Sequence, residues 1–228
     1  MIVGSVLFDL TGTLVWSEPP GETLFCEACD LLGFHVSPSE LYRATAEVDR
    51  TIHVPLPATR KEEADFFAYG HMSALHKVGI DATVSHGWFI HHYIQDRMRY
   101  HKFFDVDTVL SCLKETGLKL GVVANAAPST RERIANLGLD VYLDTIILSG
   151  EVGFEKPEPQ IFKAALRILG VSPQETVYVG DTYHTDVEGA FEAGIIPVLL
   201  DRSQSYEPLD CLKVKSLTEF QEMMSIFK

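Results

Sequence analysis

Three aspartates, an asparagine and a lysine each stand shortly after an apolar run. Asp9 follows residues 2–8, Asn125 follows 118–124, Lys156 lies in the loop beyond 145–148, and Asp181 and Asp186 follow 176–179. Thr11 and Thr13 come after Asp9 at alternate positions. Clustered carboxylates repel one another, so such a set calls for a cation between them, and an oxygen-rich site suits magnesium. A carboxylate can also attack phosphorus and form an aspartyl phosphate. A lysine beside it offsets charge on the nucleophile and on a phosphoryl group in transfer. Each residue has a plainer role open to it: a strand-end Asp can be structural, Lys156 a surface charge, and Asp181 after Gly180 a helix cap. Taken as a set, each behind its own strand, they point to one site.

The elements that would position them alternate. Residues 2–8 read as a buried parallel strand, a short unbroken apolar run. Helical spacing then appears at 107–116, 128–137, 159–169 and 185–193, separated by strands at 118–124, 145–148, 176–179 and 195–200, with a last helix at 217–227. Gly117, Gly138, Gly170 and Gly194 stand where those helices stop. Ile161, Phe162, Ala165, Leu166 and Leu169 mark one apolar stripe. Strict alternation predicts an α/β fold, a Rossmann-like parallel core of five strands covered on both faces. In such sheets ligands bind beyond the carboxyl ends of the strands, where the candidate residues fall. Residues 17–97 break the rhythm with almost continuous helical pattern, interrupted by Pro55 and Pro57. They are read as a helical cap inserted after the first strand, the core being 1–16 and 98–228.

Composition narrows the function. The 228 residues are 46% apolar and 22% charged, enough for a sizeable core. A net charge of −13, from 19 basic and 32 acidic residues, repels phosphate backbones and argues against nucleic-acid binding. No apolar run approaches the roughly 20 residues of a membrane span, and the first five residues have neither the basic region nor the cleavage site of a signal peptide. Cys26 and Cys29 form a C-x-x-C inside a predicted helix, with no second pair at zinc spacing. With Cys112 and Cys211 they suggest free thiols and a reducing, cytoplasmic location. His91 and His92 are adjacent, so they face different sides of a helix and make a poor metal pair.

The strings themselves carry a resemblance. Phe8-Asp9-Leu10-Thr11-Gly12-Thr13-Leu14, Val123-Ala124-Asn125, Gly153-Phe154-Glu155-Lys156-Pro157 and Val179-Gly180-Asp181-Thr182-Tyr183-His184-Thr185-Asp186 resemble, in order, the four motifs of the haloacid dehalogenase-like superfamily. The resemblance spans nearly the whole chain, and the insert is similar to that family's helical cap. It implies Asp9 as nucleophile, Mg2+ bound by the carboxylates of Asp9 and Asp181 and by the Thr11 carbonyl, and Asp186 completing or supporting that shell. It implies Lys156 on Asp9 and the phosphoryl oxygens, and the Asn125 N–H, with Thr13 and the Ala124 position, at the phosphoryl group. The implied substrate is a small phosphorylated metabolite, handled by a monomer or homodimer.

Two positions depart from the family pattern. Where its phosphatases carry a second Asp that serves as acid and base, this chain has Thr11, whose hydroxyl pKa is far too high for that work; losing such a group costs roughly 10²–10⁴-fold. Where the second motif offers a hydroxyl to the phosphoryl oxygen, this chain has Ala124; such a bond is worth about 1.5–3 kcal/mol. Phosphorylation of Asp9 is therefore expected to survive better than hydrolysis. His184 is a candidate replacement acid–base, its alternative being an exposed residue at a helix start. The competing readings are a metabolite-binding relative that has lost turnover and a 2-haloacid dehalogenase. The pair Asp181 and Asp186 argues against the latter.

Overall fold

A computed structural model describes residues 3–51, 57, 59–207 and 210–224. In chain order the elements are β1 (Ser5–Phe8), β2 (Val15–Glu18), α1 (Gly21–Leu31), α2 (Pro38–Thr51), α3 (Arg60–Lys77), α4 (Val84–Arg97), β3 (Arg99–Lys102), α5 (Val106–Glu115), β4 (Lys119–Ala124) and α6 (Thr130–Asn136). There follow β5 (Thr145–Leu148), α7 (Ser149–Val152), α8 (Pro159–Leu169), β6 (Thr176–Gly180), a π-helical turn (Tyr183–Glu188), α9 (Gly189–Glu192), β7 (Ile196–Leu200), β8 (Leu212–Val214) and α10 (Leu217–Met224). The chain forms two compact units, 1–16 with 102–228, and 17–101. β2 and β3, the connections between them, pair as a two-stranded sheet.

The first unit is built on a parallel sheet in the order β5-β4-β1-β6-β7-β8. β1 and β6 are buried at every position, as strands covered on both faces must be. Leu7, Val123, Ile147 and Tyr178 from the sheet pack with Ile161, Phe162, Ala165 and Leu166 of α8, so the stripe read from the sequence is this core's helical side.

The sheet has six strands where five were expected. The sixth, β8, is three residues long with only Val214 buried, and it lies at the sheet edge. Three residues, Leu212 to Val214, are too few to make an apolar run that reveals a strand. The helix expected over 185–193 is a π-helical turn followed by α9. Asp186 of that turn accepts the N–H of Thr182, the residue preceding the turn, at 2.9 Å. The first strand begins at Ser5, and Ile2 lies outside the described residues, as do 225–228 of the last predicted helix. Of the predicted internal break, Pro57 is buried and non-helical between α2 and α3, and Pro55 lies outside the described residues.

Among the described residues the second unit holds four helices. Leu24, Phe25 and Ala28 of α1 meet Leu41 and Ala44 of α2, Ala74 and Leu75 of α3, and Ile90 and Ile94 of α4. α3 and α4 approach so closely at Gly87 that a Cβ there would stand 2.0 Å from the Ala68 carbonyl oxygen. Thr59 and Glu62 form a reciprocal capping box at the start of α3. Cys26 and Cys29 lie on α1, and all four cysteines are free thiols. His91 is buried and His92 exposed, as adjacent helical positions dictate. Among the described residues no helix is long and apolar enough to cross a membrane.

Candidate active site

The register of three central strands sets the site. Phe8 lies opposite Val122 of β4 and Val179 of β6, so Asp9, the end of β4 and the end of β6 emerge at one level. The Asp9 N–H donates to the Val179 carbonyl at 2.9 Å, carrying the ladder one residue past β1. The chain then turns tightly, Gly12 N–H donating to the Val15 carbonyl at 2.7 Å and Leu14 N–H to that of Leu10 at 2.8 Å. Gly12 has φ 88°, and a Cβ there would stand 2.1 Å from Asp181 Oδ2. Only glycine admits both that backbone and that neighbour. A Cβ on Gly180 would likewise stand 2.3 Å from the Asp186 carboxyl carbon.

Lys156 lies at the centre, 6% exposed. Its ammonium donates to Asp9 Oδ1 at 2.6 Å, Asp186 Oδ1 at 2.6 Å and the Tyr178 hydroxyl at 3.0 Å. The lysine loop is tied to the end of β4 by a reciprocal pair of bonds. Asn125 Nδ2 donates to the Lys156 carbonyl at 2.9 Å, and the Lys156 N–H donates to Asn125 Oδ1 at 2.7 Å. Beside it, Ser149 Oγ accepts the Ala126 N–H at 2.9 Å.

Asp9, Asp181 and Asp186 bring carboxylate oxygens within 4.8 Å of one another, the only such trio of acidic, His or Cys groups among the described residues. One ammonium cannot balance three carboxylates. Burial raises the Asp9 carboxyl to about 6, Lys156 opposing and Asp186 adding to the rise. Burial, then Asp9 and Asp186, push Asp181 to about 7. The two carboxylates beside Lys156 outweigh its burial and hold its pKa up. A buried, oxygen-only donor set with surplus negative charge fits a hard divalent cation.

Of the residues singled out from sequence, Asp9, Lys156, Asp181 and Asp186 converge. Thr13 is fully buried, and its hydroxyl has no hydrogen-bond partner. Thr11 is exposed, bridged to Val15. Ala124 ends β4, buried and without a hydroxyl to offer. Asn125 spends its side chain on the lysine loop. His184 is 73% exposed and bonded to Glu188 at 2.6 Å. Sequence reading missed Tyr178, although a tyrosine inside an otherwise apolar strand signals a hydroxyl that must find a buried partner. It also missed Arg202. That guanidinium grips both oxygens of buried Asp105 at 3.0 and 3.1 Å, donates to the Thr13 carbonyl at 2.9 Å, and lies 3.9 Å over the Phe103 ring. No local signal joins residues 13, 105 and 202.

The chain is similar to known proteins over part or nearly all of its length. A glyceraldehyde 3-phosphate phosphatase of Methanopyrus kandleri is 42% identical over 107 residues, 46% of each chain. A phosphoserine phosphatase of Thermus thermophilus is 36% identical over 111 residues, 48% of this chain and 45% of that one. The chain thus aligns with about half the length of these curated relatives. The crystal structure of a HAD phosphatase from Thermococcus onnurineus superposes with a TM-score of 0.66 at 25% identity, covering 97% of this chain and 98% of that one. The haloacid dehalogenase-like hydrolase model matches residues 3–194, a span that takes in every residue of the carboxylate–lysine cluster, and the chain belongs to that family.

Proposed function

We propose that the protein is a magnesium-dependent phosphatase or phosphotransferase acting on a small phosphorylated metabolite through an aspartyl phosphate on Asp9. The observation that carries this reading is the Lys156 ammonium 2.6 Å from Asp9 Oδ1, with Asp181 and Asp186 in the same buried cluster. The relatives named for glyceraldehyde 3-phosphate and phosphoserine support the substrate class.

The carboxylates of Asp9 and Asp181 and the Thr11 carbonyl would hold the ion, Asp186 completing or supporting the set. When bound, a divalent ion screens the carboxylates and polarises the phosphoryl oxygens. The chain's own residues do the rest. Lys156 occupies Asp9 Oδ1 and leaves Oδ2 to attack phosphorus. The unpartnered Thr13 hydroxyl donates to a phosphoryl oxygen, and the Asn125 N–H joins it. The helical insert, 17–97, serves as the cap that excludes water and selects the substrate. Thr11 cannot deprotonate a water, so Asp9 accepts the phosphoryl group faster than it returns it to water. The four free thiols suit a reducing, cytoplasmic setting.

The test is turnover of p-nitrophenyl phosphate with Mg2+ by the wild type and by Asp9→Asn. Absence of both turnover and an acid-stable phosphoprotein with any phosphate donor refutes the reading. A second reading, metabolite binding without turnover, draws on the exposed Thr11 and the missing hydroxyl at Ala124. It requires calorimetric binding of a phosphorylated metabolite with no product. Halide release from 2-haloacids without metal would instead favour a dehalogenase.

A further inference from the structure

An ammonium has three N–H groups, and those of Lys156 have three acceptors here: Asp9 Oδ1 and Asp186 Oδ1, each at 2.6 Å, and Tyr178 Oη at 3.0 Å. All four side chains are buried. Lys156 therefore reaches a phosphoryl oxygen only by releasing one of these partners. The two carboxylates are charged, and bonds to a charged acceptor are roughly twice as strong as neutral ones. The phenol is neutral and the most distant of the three. Its own proton is already provided for, with the Val123 carbonyl at 2.9 Å and Asp186 Oδ1 at 3.2 Å. When the lysine turns away, the Tyr178 hydroxyl is left with a partner and no buried group is orphaned.

We propose that Tyr178 is a positioning residue, the exchangeable partner of Lys156: it holds the third lysine N–H until a phosphoryl group binds and then yields it to a phosphoryl oxygen. This rests on the phosphoryl-transfer reading above. The direction of the effect is what distinguishes it. A bond made before the anion arrives and broken afterwards opposes anion binding, so removing it tightens binding. A tyrosine that merely fixed the lysine, or filled the core, would weaken binding or leave it unchanged when altered.

Tyr178→Phe isolates the oxygen. It keeps the ring, its edge contact with Phe162 at 5.0 Å between centroids, and the lysine 5.6 Å from the ring centre. The measurement is the inhibition constant of orthophosphate against p-nitrophenyl phosphate turnover, with Mg2+ and the full chain. The constant is expected to fall about three- to tenfold in Tyr178→Phe, the worth of one hydrogen bond. Wild type that neither turns over substrate nor binds orthophosphate refutes the phosphoryl-transfer reading itself. Active wild type paired with an unchanged or raised constant in the variant overturns the exchange alone. Should the variant fail to fold, a crystal structure of the wild type with orthophosphate decides. Lys156 Nζ to Tyr178 Oη is expected beyond hydrogen-bonding distance, with the bond from Oη to Val123 kept. An intact Nζ–Oη bond beside bound orthophosphate overturns the proposal.

Discussion

The two units treat buried ionisable groups in opposite ways. At the carboxyl edge of the sheet, three aspartates crowd around one lysine, more carboxylates than it can balance. In the helical unit two imidazoles, His71 and His91, are held toward the neutral form. Phe67 of α3 stacks on His91 of α4 at 5.4 Å and 6°, and Phe25 meets the edge of His71 at 4.8 Å. Burial pushes the His71 imidazole down to about 3, and burial also lowers His91. A neutral imidazole among aromatic rings is core material, whereas an unbalanced carboxylate cluster is a demand for a ligand. The difference shows that concentration of ionisable residues is not itself a sign of chemistry, and that the supply of counter-charge is what separates the two cases.

The sharpest way to break this contrast is at Asp9. Asp9→Asn removes the attacking oxygen's charge and is expected to lower phosphate release by about 10⁴-fold or more while far-ultraviolet circular dichroism is unchanged. Survival of activity would move the chemistry elsewhere. Next, Thr11→Asp supplies the acid–base that the first motif lacks. Steady-state hydrolysis is expected to rise about 10²-fold, with a shorter-lived phosphoprotein in rapid-quench experiments.

A third change asks whether charge at the sheet edge is equally sensitive where no ligand is called for. Arg202→Met strands the buried Asp105 carboxylate and is expected to cost about 3–5 kcal/mol in urea unfolding. Adding Asp105→Leu is expected to restore only part of that stability, because it removes the stranded charge but also the acceptor of the buried Leu217 N–H at 2.8 Å.

The pH dependence of the metal-free protein separates the units directly. Asp9 and Asp181 ionise at about 6 and 7 when folded against 3.8 otherwise, so across that window the folded state holds more protons than the unfolded one. Their contribution makes stability fall as pH rises from about 4 to about 7, and a divalent cation reverses the loss. His71, at about 3 when folded against 6.5, does the reverse: the unfolded state holds the extra proton, and stability falls as pH drops below 6.5. His71→Phe is expected to shrink the acid limb without touching the other, His91 keeping the remainder, followed by Trp88 fluorescence in a Trp16→Phe background. Last and smallest, His184→Ala breaks an exposed pair with Glu188 and is expected to leave stability within about 0.5 kcal/mol and turnover within about twofold. A larger fall in turnover, with a shifted pH–rate profile, would make His184 the missing acid–base.

Much of the frame is legible in the sequence. Unbroken apolar runs, the stripe of α8 and the glycines at helix ends follow from local rules of period and backbone freedom, and the five principal strands fall where those rules put them. β8 was not legible, because three residues with one buried side chain carry no periodicity. The π-helical turn escaped for a different reason: helical spacing does not separate it from a regular helix, nor does it encode the bonds of Asp186 to Thr182 and Lys156.

The sequence by itself determined which residues could do chemistry and the order of the strands that carry them, because residue type and hydrophobic period are local properties. Only the tertiary structure decided how those residues are coupled. It took a parallel register to bring Asp9, Lys156 and Asp186 within 2.6 Å contacts, to lay Tyr178 against the lysine, and to run Arg202 back to the Thr13 carbonyl. The physical reason is that hydrogen bonds and charge act over a few ångströms in space, across separations in sequence of 22 to 189 residues.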